Sequence, residues 1–250
     1  MKQLVLPRDS RSADRVELRD KEHHYLARVR RIAVGDRVAA LDGSDRLVLE
    51  VVAVAHDHTE LRVVEKLSSA APSTTSIVLF PFLLKARKLD DVIRQGCEAG
   101  VSAIVPVVGD HCVARTGDED AVRKTTRWTT IAKEAAQQSG NARVTEILTP
   151  IASRRVPEFW NGAGPLLFFH QTPLDKSSLH RYLFPRPEAV GLIVGPEGGL
   201  SDAEVEAFLA RDALPIWLGP FVLRAETASL YAVAAVNTIL QETPEWTIPT

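Results

Sequence analysis

Two strand-to-helix junctions close together near the carboxyl end constrain the fold of this chain more than any other feature. The first passes from a buried strand, 192–194, through the bend GPEGG (195–199) into a helix. The second passes from an apolar run ending at Trp217-Leu218, through Gly219-Pro220, into a long apolar helix over 225–240. Loops at the carboxyl ends of parallel strands form the ligand site of open α/β folds. The sequence therefore predicts a site between the two bends.

The stretch before these junctions alternates between strand and helix patterns. Buried strands are predicted over 77–82, 103–107 and 166–170, and helices over 87–100 and 121–139. The apolar positions of the first of these helices share one face: Leu89, Val92, Ile93, Gly96 and Cys97. Ser201 and Glu204 have the spacing of a capping box, which starts the helix after the first bend. This alternation favours an α/β domain whose parallel sheet has helices on both faces.

The first 70 residues have the pattern of a small β domain. A short strand over 38–41 runs into the turn dipeptide Asp42-Gly43, and the residues over 46–55 are rich in Val and Leu. The small, polar, proline-containing segment 68–76 is interpreted as a linker. Two domains are therefore predicted, 1–70 and 71–250.

A basic segment within the β domain is a candidate contact for nucleic acid. The sequence KEHHYLARVRR (21–31) places His24, Arg28 and Arg31 at helical spacing. Arginine and histidine side chains pair with phosphates, so the segment fits an RNA backbone contact. A solvated helix face explains the same pattern equally well.

Composition narrows the class of protein. The 30 Lys and Arg residues nearly balance the 32 Asp and Glu residues, so any RNA contact must come from local clustering of charge. No apolar run approaches the roughly 20 residues of a membrane span, and no basic-then-apolar signal segment opens the chain. The two cysteines, Cys97 and Cys112, have neither metal-ligand nor disulfide-framework spacing. We expect a cytoplasmic protein without a membrane partner or a metal.

The GPEGG bend alone is a weak indication of function. It is not a Walker loop, because no Lys-Ser/Thr follows, and it does not match the dinucleotide fingerprint. Its glycines allow a close approach of the backbone to a ligand. Glu197 fits either a contact with the positive end of the following helix or the anchoring of a ligand or a neighbouring loop.

Combined with the second junction, the bend resembles a known family. The segments LGP (218–220) and LRAETA (223–228), together with GPEGG, resemble the knotted SPOUT methyltransferases, and within them the RsmE family. Lys85, the segment EAGV (98–101) with Pro106, and the segment RW (127–128) through EAAQQSG (134–140) extend the likeness. HYLARVRR (24–31) and Gly35-Asp36 match the family's small domain. The chain departs from the family pattern at Asn141, Gln95 and Cys97, which bears on RNA contacts along those helices.

The resemblance implies most of the functional expectations. RsmE enzymes methylate N3 of a uridine in 16S rRNA of the small subunit, using S-adenosylmethionine and releasing S-adenosylhomocysteine. The likeness implies a trefoil knot in the carboxyl-terminal domain, a PUA-like β-barrel before it, and a homodimer formed through the knotted helices. General topology rules argue against knots, so the knot is implied by the resemblance alone. The 30S subunit is the implied partner.

The expected site residues follow from the same match. The methyl donor, whose sulfonium already activates the leaving group without a metal, is expected to contact Phe169, His170, Gly195, Pro196, Glu197, Gly198, Gly199, Leu218, Gly219, Pro220, Leu223, Arg224 and Thr227. RNA is expected to contact His24, Arg28, Arg30, Arg31, Lys85, Arg87 and Arg127. Arg224 is expected to stabilise charge on the uracil or its phosphate, with Glu226 as its orienting partner or as proton acceptor. A simple ion pair between Arg224 and Glu226 is the structural alternative, and His170 is more often a structural residue than a base.

Three further expectations concern alternatives and assembly. A knotted methyltransferase with another target, in tRNA or 23S rRNA, on a base or a ribose, remains open. So does an RNA-binding protein that keeps the fold without the activity. The helix over 225–240 is apolar on nearly every side, which predicts burial in its own core or against a second copy.

Overall fold

The computed structural model describes residues 3–43, 45–67, 75–113, 118–141, 143–174 and 178–242. The chain divides into two compact units. The first comprises Met1–Pro72 and Lys133–Val144, and the second comprises Ser73–Ala132 and Thr145–Thr250. Most of the linker expected over 68–76 lies outside the described residues, and Ser76 already begins a strand.

The first unit is built on a six-stranded sheet that curls around an apolar core. Its strands are β1 (Leu4–Val5), β2 (Arg11–Ser12), β3 (Arg15–Arg19), β4 (Arg37–Asp42), β5 (Asp45–Val54) and β6 (His58–Leu67). Their order is β1-β4-β5-β6-β3-β2, and only β1 pairs in parallel. Alternate side chains of β5 (Leu47, Leu49 and Val51) are buried, as expected for a sheet with one face on the core. Two register shifts between β5 and β6 bend the sheet, which fits a barrel-like domain.

The helix expected over 21–31 forms with a change of type. It begins as α1 (Asp20–His24) and continues as a π-helical turn over Tyr25–Arg30. The turn ends at Arg31, whose φ of 52° is left-handed. His23 is buried, and its Nδ1 lies 2.8 Å from Oγ1 of Thr59. Leu26 and the partly buried Tyr25 pack the π turn against the apolar core of the sheet, and this contact with distant residues leaves no mark in the helical period of the sequence.

The second unit contains a six-stranded parallel sheet. The strands of this unit are β7 (Ser76–Pro81), β8 (Ala103–Ile104), β9 (Val107–Val108), β10 (Glu146–Ile147), β11 (Ile151–Ala152), β12 (Leu166–Phe169), β13 (Ala189–Val194) and β14 (Leu214–Ile216). The sheet order is β10-β8-β7-β13-β12-β14, while β9 and β11 pair separately. All four residues of β12 are buried, as in a sheet covered on both faces. The α/β expectation is therefore confirmed.

The helices also agree largely with the sequence pattern. They are α2 (Lys88–Glu98), α3 (Asp118–Ser139), α4 (Val156–Trp160), α5 (Leu179–Leu183), α6 (Asp202–Leu209) and α7 (Ala225–Gln241). The five positions expected to share a face of α2 are its buried residues. The single strand expected over 103–107 is interrupted: β8 ends at Ile104 and β9 begins at Val107, although the backbone N–H of Val105 still donates to the carbonyl oxygen of Leu79 at 2.9 Å.

The helix after the GPEGG bend begins as the sequence predicts. Ser201 Oγ accepts the Glu204 backbone N–H at 3.2 Å, and the Glu204 carboxylate accepts the Ser201 backbone N–H at 3.0 Å. This confirms the capping box at the start of α6. Glu204 is 2% exposed and also accepts the backbone N–H of Asp110 at 3.0 Å. The loop after β9 is thereby tied to the start of α6.

Helix α7 is not buried all round within a single chain. Leu230 is 38% exposed and Tyr231 is 51% exposed. Thr227, Ala234 and Thr238 are exposed on the same stripe, at the three- and four-residue spacing of one helix face. The expectation of burial in the chain's own core is therefore wrong for this face, whereas burial against a second copy stays a prediction.

Candidate functional site

The order of three parallel strands brings the two bends together. β12 lies between β13 and β14 in the sheet, so the loops that follow β13 and β14 flank its carboxyl end. A cavity of 380 Å³ opens there. Its wall contains residues from the end of β12, from the GPEGG bend, from the loop after β14 and from the first turns of α2 and α7.

Most of the residues expected to hold the cofactor line this cavity. They are Phe169, His170, Gly195, Pro196, Glu197, Gly198, Gly199, Leu218, Gly219, Leu223 and Arg224. Pro220 and Thr227 are not among the lining residues. Ala225 and Ala228 line the cavity from α7, and Thr227 lies about 200° around the helix from Ala225, so its side chain points away.

The GPEGG wall depends on the glycines within it and on His111, which packs against it. Gly199 has a φ of 73°, a left-handed value that favours glycine. A Cβ on Gly198 would lie 3.1 Å from Cβ of His111, which packs beneath the bend. The Nδ1 atom of His111 lies 3.1 Å from the carbonyl oxygen of Gly199. The loop after β9 therefore supports the bend from behind.

The second wall presents backbone groups that have no backbone partner. Within the described part of the chain, residues 218–223 form no backbone–backbone hydrogen bond. Gly219 has a φ of 121°, which other residues rarely adopt. Backbone polar groups are strong hydrogen-bonding groups. The loop can therefore offer donors and acceptors to a ligand, alongside the apolar side chains of Leu218 and Leu223.

A lysine that the sequence reasoning missed joins two carboxylates at the edge of the cavity. The Nζ atom of Lys88 lies 3.5 Å from Oε1 of Glu197 and 3.3 Å from Oε2 of Glu226. Lys88 lines the cavity, whereas Glu226 does not. The proximity of Lys88 to the bend follows from the pairing of β7 with β13, which no local pattern reports.

Glu197 fixes the loop that follows β7. Its Oε1 atom accepts the backbone N–H of Lys85 at 3.2 Å. Partial burial acts to raise the pKa of Glu197, but its own backbone N–H, that of Lys85 and the charge of Lys88 outweigh this effect and lower the pKa overall. Of the two interpretations of this residue, the contacts match the anchoring of a neighbouring loop.

Arg224 does not form the ion pair with Glu226 that was the structural alternative. This arginine lines the cavity, is exposed, and immediately precedes the first residue of α7. Within the described ranges, Arg224 has no ion pair, so the ion pair with Glu226 does not form. The structure therefore leaves its guanidinium available to a ligand and gives Glu226 to Lys88 instead.

His170 combines a cavity position with local contacts. Its Nδ1 atom lies 3.0 Å from Oγ1 of Thr172, and the backbone N–H of Thr172 points to the same nitrogen at 3.3 Å. Its own backbone N–H donates to the carbonyl oxygen of Ile216 at 2.9 Å. These contacts hold the end of β12 and match the structural interpretation of this histidine.

The residues expected to contact RNA lie at the surface in both units. Those in the first unit (His24, Arg28, Arg30 and Arg31) are exposed on or next to the π turn. In the second unit Lys85 and Arg87 are exposed in the loop before α2. Arg127 is also exposed but its guanidinium lies 2.6 Å from Oδ1 of Asp90, so its charge is already paired.

Neither cysteine is suited to nucleophilic chemistry. Burial raises the pKa of Cys97 to about 11, and burial also raises the pKa of Cys112. Among the residues that the structure describes, no group of three or more His, Cys, Asp and Glu side chains could hold a metal ion. No helix in the described ranges has the length and apolar character needed to cross a membrane.

Comparison with known proteins defines first the class and then the family. The family model of the RNA methyltransferase domain matches residues 71–237, which include every residue of the cavity wall. Ribosomal RNA small subunit methyltransferase E of Synechocystis sp. is 30% identical over 231 residues, 90% of this chain and 74% of that protein. The Bacillus subtilis protein of the same name is 28% identical over 224 residues, 87% of each chain.

Solved structures agree on the fold. The crystal structure of ribosomal RNA small subunit methyltransferase E from Neisseria gonorrhoeae, bound to S-adenosyl methionine, has a TM-score of 0.84 and is 24% identical, covering 96% of this chain and 98% of that one. A Legionella pneumophila protein, also solved with bound S-adenosyl methionine, gives a TM-score of 0.82 at 24% identity, covering 94% of this chain and 96% of that one. The chain belongs to the ribosomal RNA small subunit methyltransferase E family of RNA methyltransferases.

Proposed function

We propose that the protein methylates N3 of a uridine in 16S rRNA of the small subunit, with S-adenosylmethionine as the methyl donor. The observation that carries the proposal is one cavity enclosed by both glycine-bearing loops. Family membership supports RNA as the substrate. The relatives named ribosomal RNA small subunit methyltransferase E support the small subunit as the source of that RNA. Structures of similar fold contain S-adenosyl methionine, which supports the donor.

The cavity fits a nucleoside cofactor in size and chemistry. Its volume of 380 Å³ lies in the range of roughly 300–1,000 Å³ found for small-molecule sites. Phe169, Leu218 and Leu223 offer apolar contact for a purine ring, and the backbone of 218–223 offers polar groups that have no backbone partner among the described residues. The glycines of the GPEGG bend leave room for the remainder of the ligand. S-adenosylmethionine, when bound, supplies a methyl group already activated by its sulfonium.

The chain's own residues must then prepare the uracil. N3 of uracil carries a proton at neutral pH, so the nucleophile gains negative charge as that proton leaves. Arg224 faces the cavity with its charge unshared among the described residues, and a guanidinium there stabilises the developing anion. We keep Glu226 among the residues proposed to take part in catalysis, with Lys88 rather than Arg224 as its ion-pair partner.

Methyl transfer to defined RNA tests this function. Purified protein, labelled S-adenosylmethionine and either unmodified 30S subunits or naked 16S rRNA are combined, and the product nucleosides are analysed by mass spectrometry. We expect N3-methyluridine, with the 30S subunit as the better substrate. A 2′-O-methyl nucleoside, or a product only in tRNA or 23S rRNA, would redirect the assignment. Absence of binding to S-adenosylmethionine at millimolar ligand in calorimetry would favour the non-catalytic RNA-binding protein.

The RNA contacts remain part of the proposal. The exposed residues His24, Arg28, Arg30 and Arg31 would grip the phosphate backbone from a PUA-like domain over 1–70, and Lys85 and Arg87 would contact RNA from the domain over 71–250. Arg127 is the weakest of the set, because Asp90 already pairs with it. We also propose a cytoplasmic location, which the proposed ribosomal substrate supports.

We further propose that the second unit is knotted. After β14, at the edge of the sheet, the chain returns and α7 packs against α2, β7 and β13. The Nδ2 atom of Asn237 donates to the carbonyl oxygen of Ala99 at 2.8 Å. Such a return past the loops of the site supports a trefoil knot, which a crystallographic chain trace tests. A trace in which α7 passes outside the preceding loops would contradict it.

We expect the protein to be a homodimer that buries the exposed stripe of α7. An apolar helix face, with Tyr231 51% exposed and Leu230 38% exposed, is typical of a surface that a second copy covers. Light scattering after size exclusion should therefore give twice the chain mass of 27.4 kDa. Tyr231→Glu should shift the mass toward the monomer, and Phe159→Glu, at another exposed aromatic, should not. A monomeric wild type would contradict the expectation.

A further inference from the structure

Lys88 connects three segments that surround the cavity. It is the first residue of α2, and it lines the cavity. Its Nζ atom lies within ion-pair distance of Glu197, in the GPEGG bend, and of Glu226, in the first turn of α7. A single ammonium group therefore joins the first turn of α2, the GPEGG bend and the first turn of α7.

Of the two contacts, the one with Glu226 involves a buried carboxylate oxygen. Oε2 of Glu226 is buried and, within the described residues, has no hydrogen-bond partner. Lys88 is the ion-pair partner that the described residues provide for it. The side chains of Lys88 and Glu226 are partly exposed, but removing the lysine would leave this buried oxygen without a compensating charge, which is unfavourable. Without the lysine, a movement of the first turn of α7 would be needed for water to reach Oε2 of Glu226.

Such a movement would alter the cavity itself. Ala225 and Ala228, on either side of Glu226 in sequence, line the cavity, and so does Arg224 immediately before them. Glu197 stands in the middle of the other wall. The remaining titratable side chain of the wall, His170, contacts Thr172 rather than either carboxylate. The Lys88 contacts thus link the GPEGG bend to the first turn of α7.

We propose that Lys88 is a positioning residue of the methyltransferase site, which holds the GPEGG bend and the first turn of α7 at the separation that the cofactor requires. The proposal rests on the proposed function, because the ligand is taken to be S-adenosylmethionine or S-adenosylhomocysteine. It assigns a role in cofactor binding to a residue that acts through two carboxylates. Charge compensation, rather than shape, is the property that matters.

A charge-rescue series in the full chain tests the proposal by calorimetry with S-adenosylhomocysteine and by thermal unfolding. Lys88→Met should weaken binding about tenfold, because Glu226 is left uncompensated. Lys88→Arg, which keeps the charge, should bind within about threefold of wild type. The double variant Lys88→Met, Glu226→Gln should bind more tightly than Lys88→Met but more weakly than wild type, since Glu226 is then neutral while Glu197 still lacks its lysine partner. Arg94→Met, on the exposed side of α2 and paired with Asp91 and Glu98, is the matched control and should bind normally.

The outcomes separate this inference from the function on which it rests. Normal ligand binding by Lys88→Met, or a double variant at least as impaired as Lys88→Met, would overturn the positioning role. If Lys88→Met unfolds while the double variant folds and binds, the role is supported. If neither folds, Lys88 serves stability alone and the role is wrong. A wild type that does not bind the ligand defeats the proposed function, while the melting temperatures of the series still report whether Glu226 depends on Lys88.

Discussion

Arg224→Ala is expected to lower the rate of methyl transfer about a hundredfold to a thousandfold while leaving the affinity for S-adenosylhomocysteine within about threefold. The guanidinium lines the cavity, and no described residue shares its charge. Negative charge develops on the uracil only as N3 loses its proton. A donor aimed at that charge therefore contributes to the transition state more than to cofactor binding.

Single-turnover methyl transfer to unmodified 30S subunits, together with calorimetry, measures both quantities. Arg211→Ala removes an exposed arginine that does not line the cavity and should transfer methyl groups normally. The methyl-transfer rate of Arg224→Lys should fall between those of Arg224→Ala and the wild type, because lysine keeps the charge but lacks the planar pair of donors. Near-normal turnover by Arg224→Ala would remove the proposed role, and an equal loss of cofactor affinity would reassign Arg224 to binding.

Gly109→Ala is expected to destabilise the second unit by about 3 kcal/mol. A Cβ at this position would overlap the ring of Phe82 and Oε1 of Glu204. Phe82 is completely buried, and Glu204 is 2% exposed with both carboxylate oxygens engaged by backbone N–H groups. Neither neighbour can move without losing core packing or the cap of α6, so the added methyl group has no space.

Urea denaturation provides the free energy of unfolding for this comparison. Gly162→Ala is the control, because its Cβ would meet open space and only its φ of 70° opposes alanine. That variant should lose about 1 kcal/mol. Because the loop after β9 supports the GPEGG bend through His111, Gly109→Ala should also weaken the binding of S-adenosylhomocysteine. If Gly109→Ala lost no more free energy of unfolding than Gly162→Ala, the loop after β9 would be shown to accommodate the methyl group by a small shift.

Local patterns were sufficient for much of the fold. The buried face of α2 follows from the spacing of Leu89, Val92, Ile93, Gly96 and Cys97. The start of α6 follows from Ser201 and Glu204, whose reciprocal hydrogen bonds span only three residues. Both features depend on neighbours along the chain, so the sequence carries them completely. Patterns failed where the conformation depended on distant residues, as at the π turn and at the break between β8 and β9.

For the candidate site, the sequence by itself determined the two glycine-bearing bends, because each strand, bend and helix follow one another closely in the chain. The resemblance to a known family supplied most of the residues of the cavity wall. Only the tertiary structure decided that Lys88, and not Arg224, pairs with Glu226. It also decided that Thr227 turns away from the cavity and that one face of α7 is exposed. These features depend on β7 pairing with β13 and on α7 returning to α2. Such long-range pairings follow from the packing of the whole sheet, and no local periodicity of the chain records them.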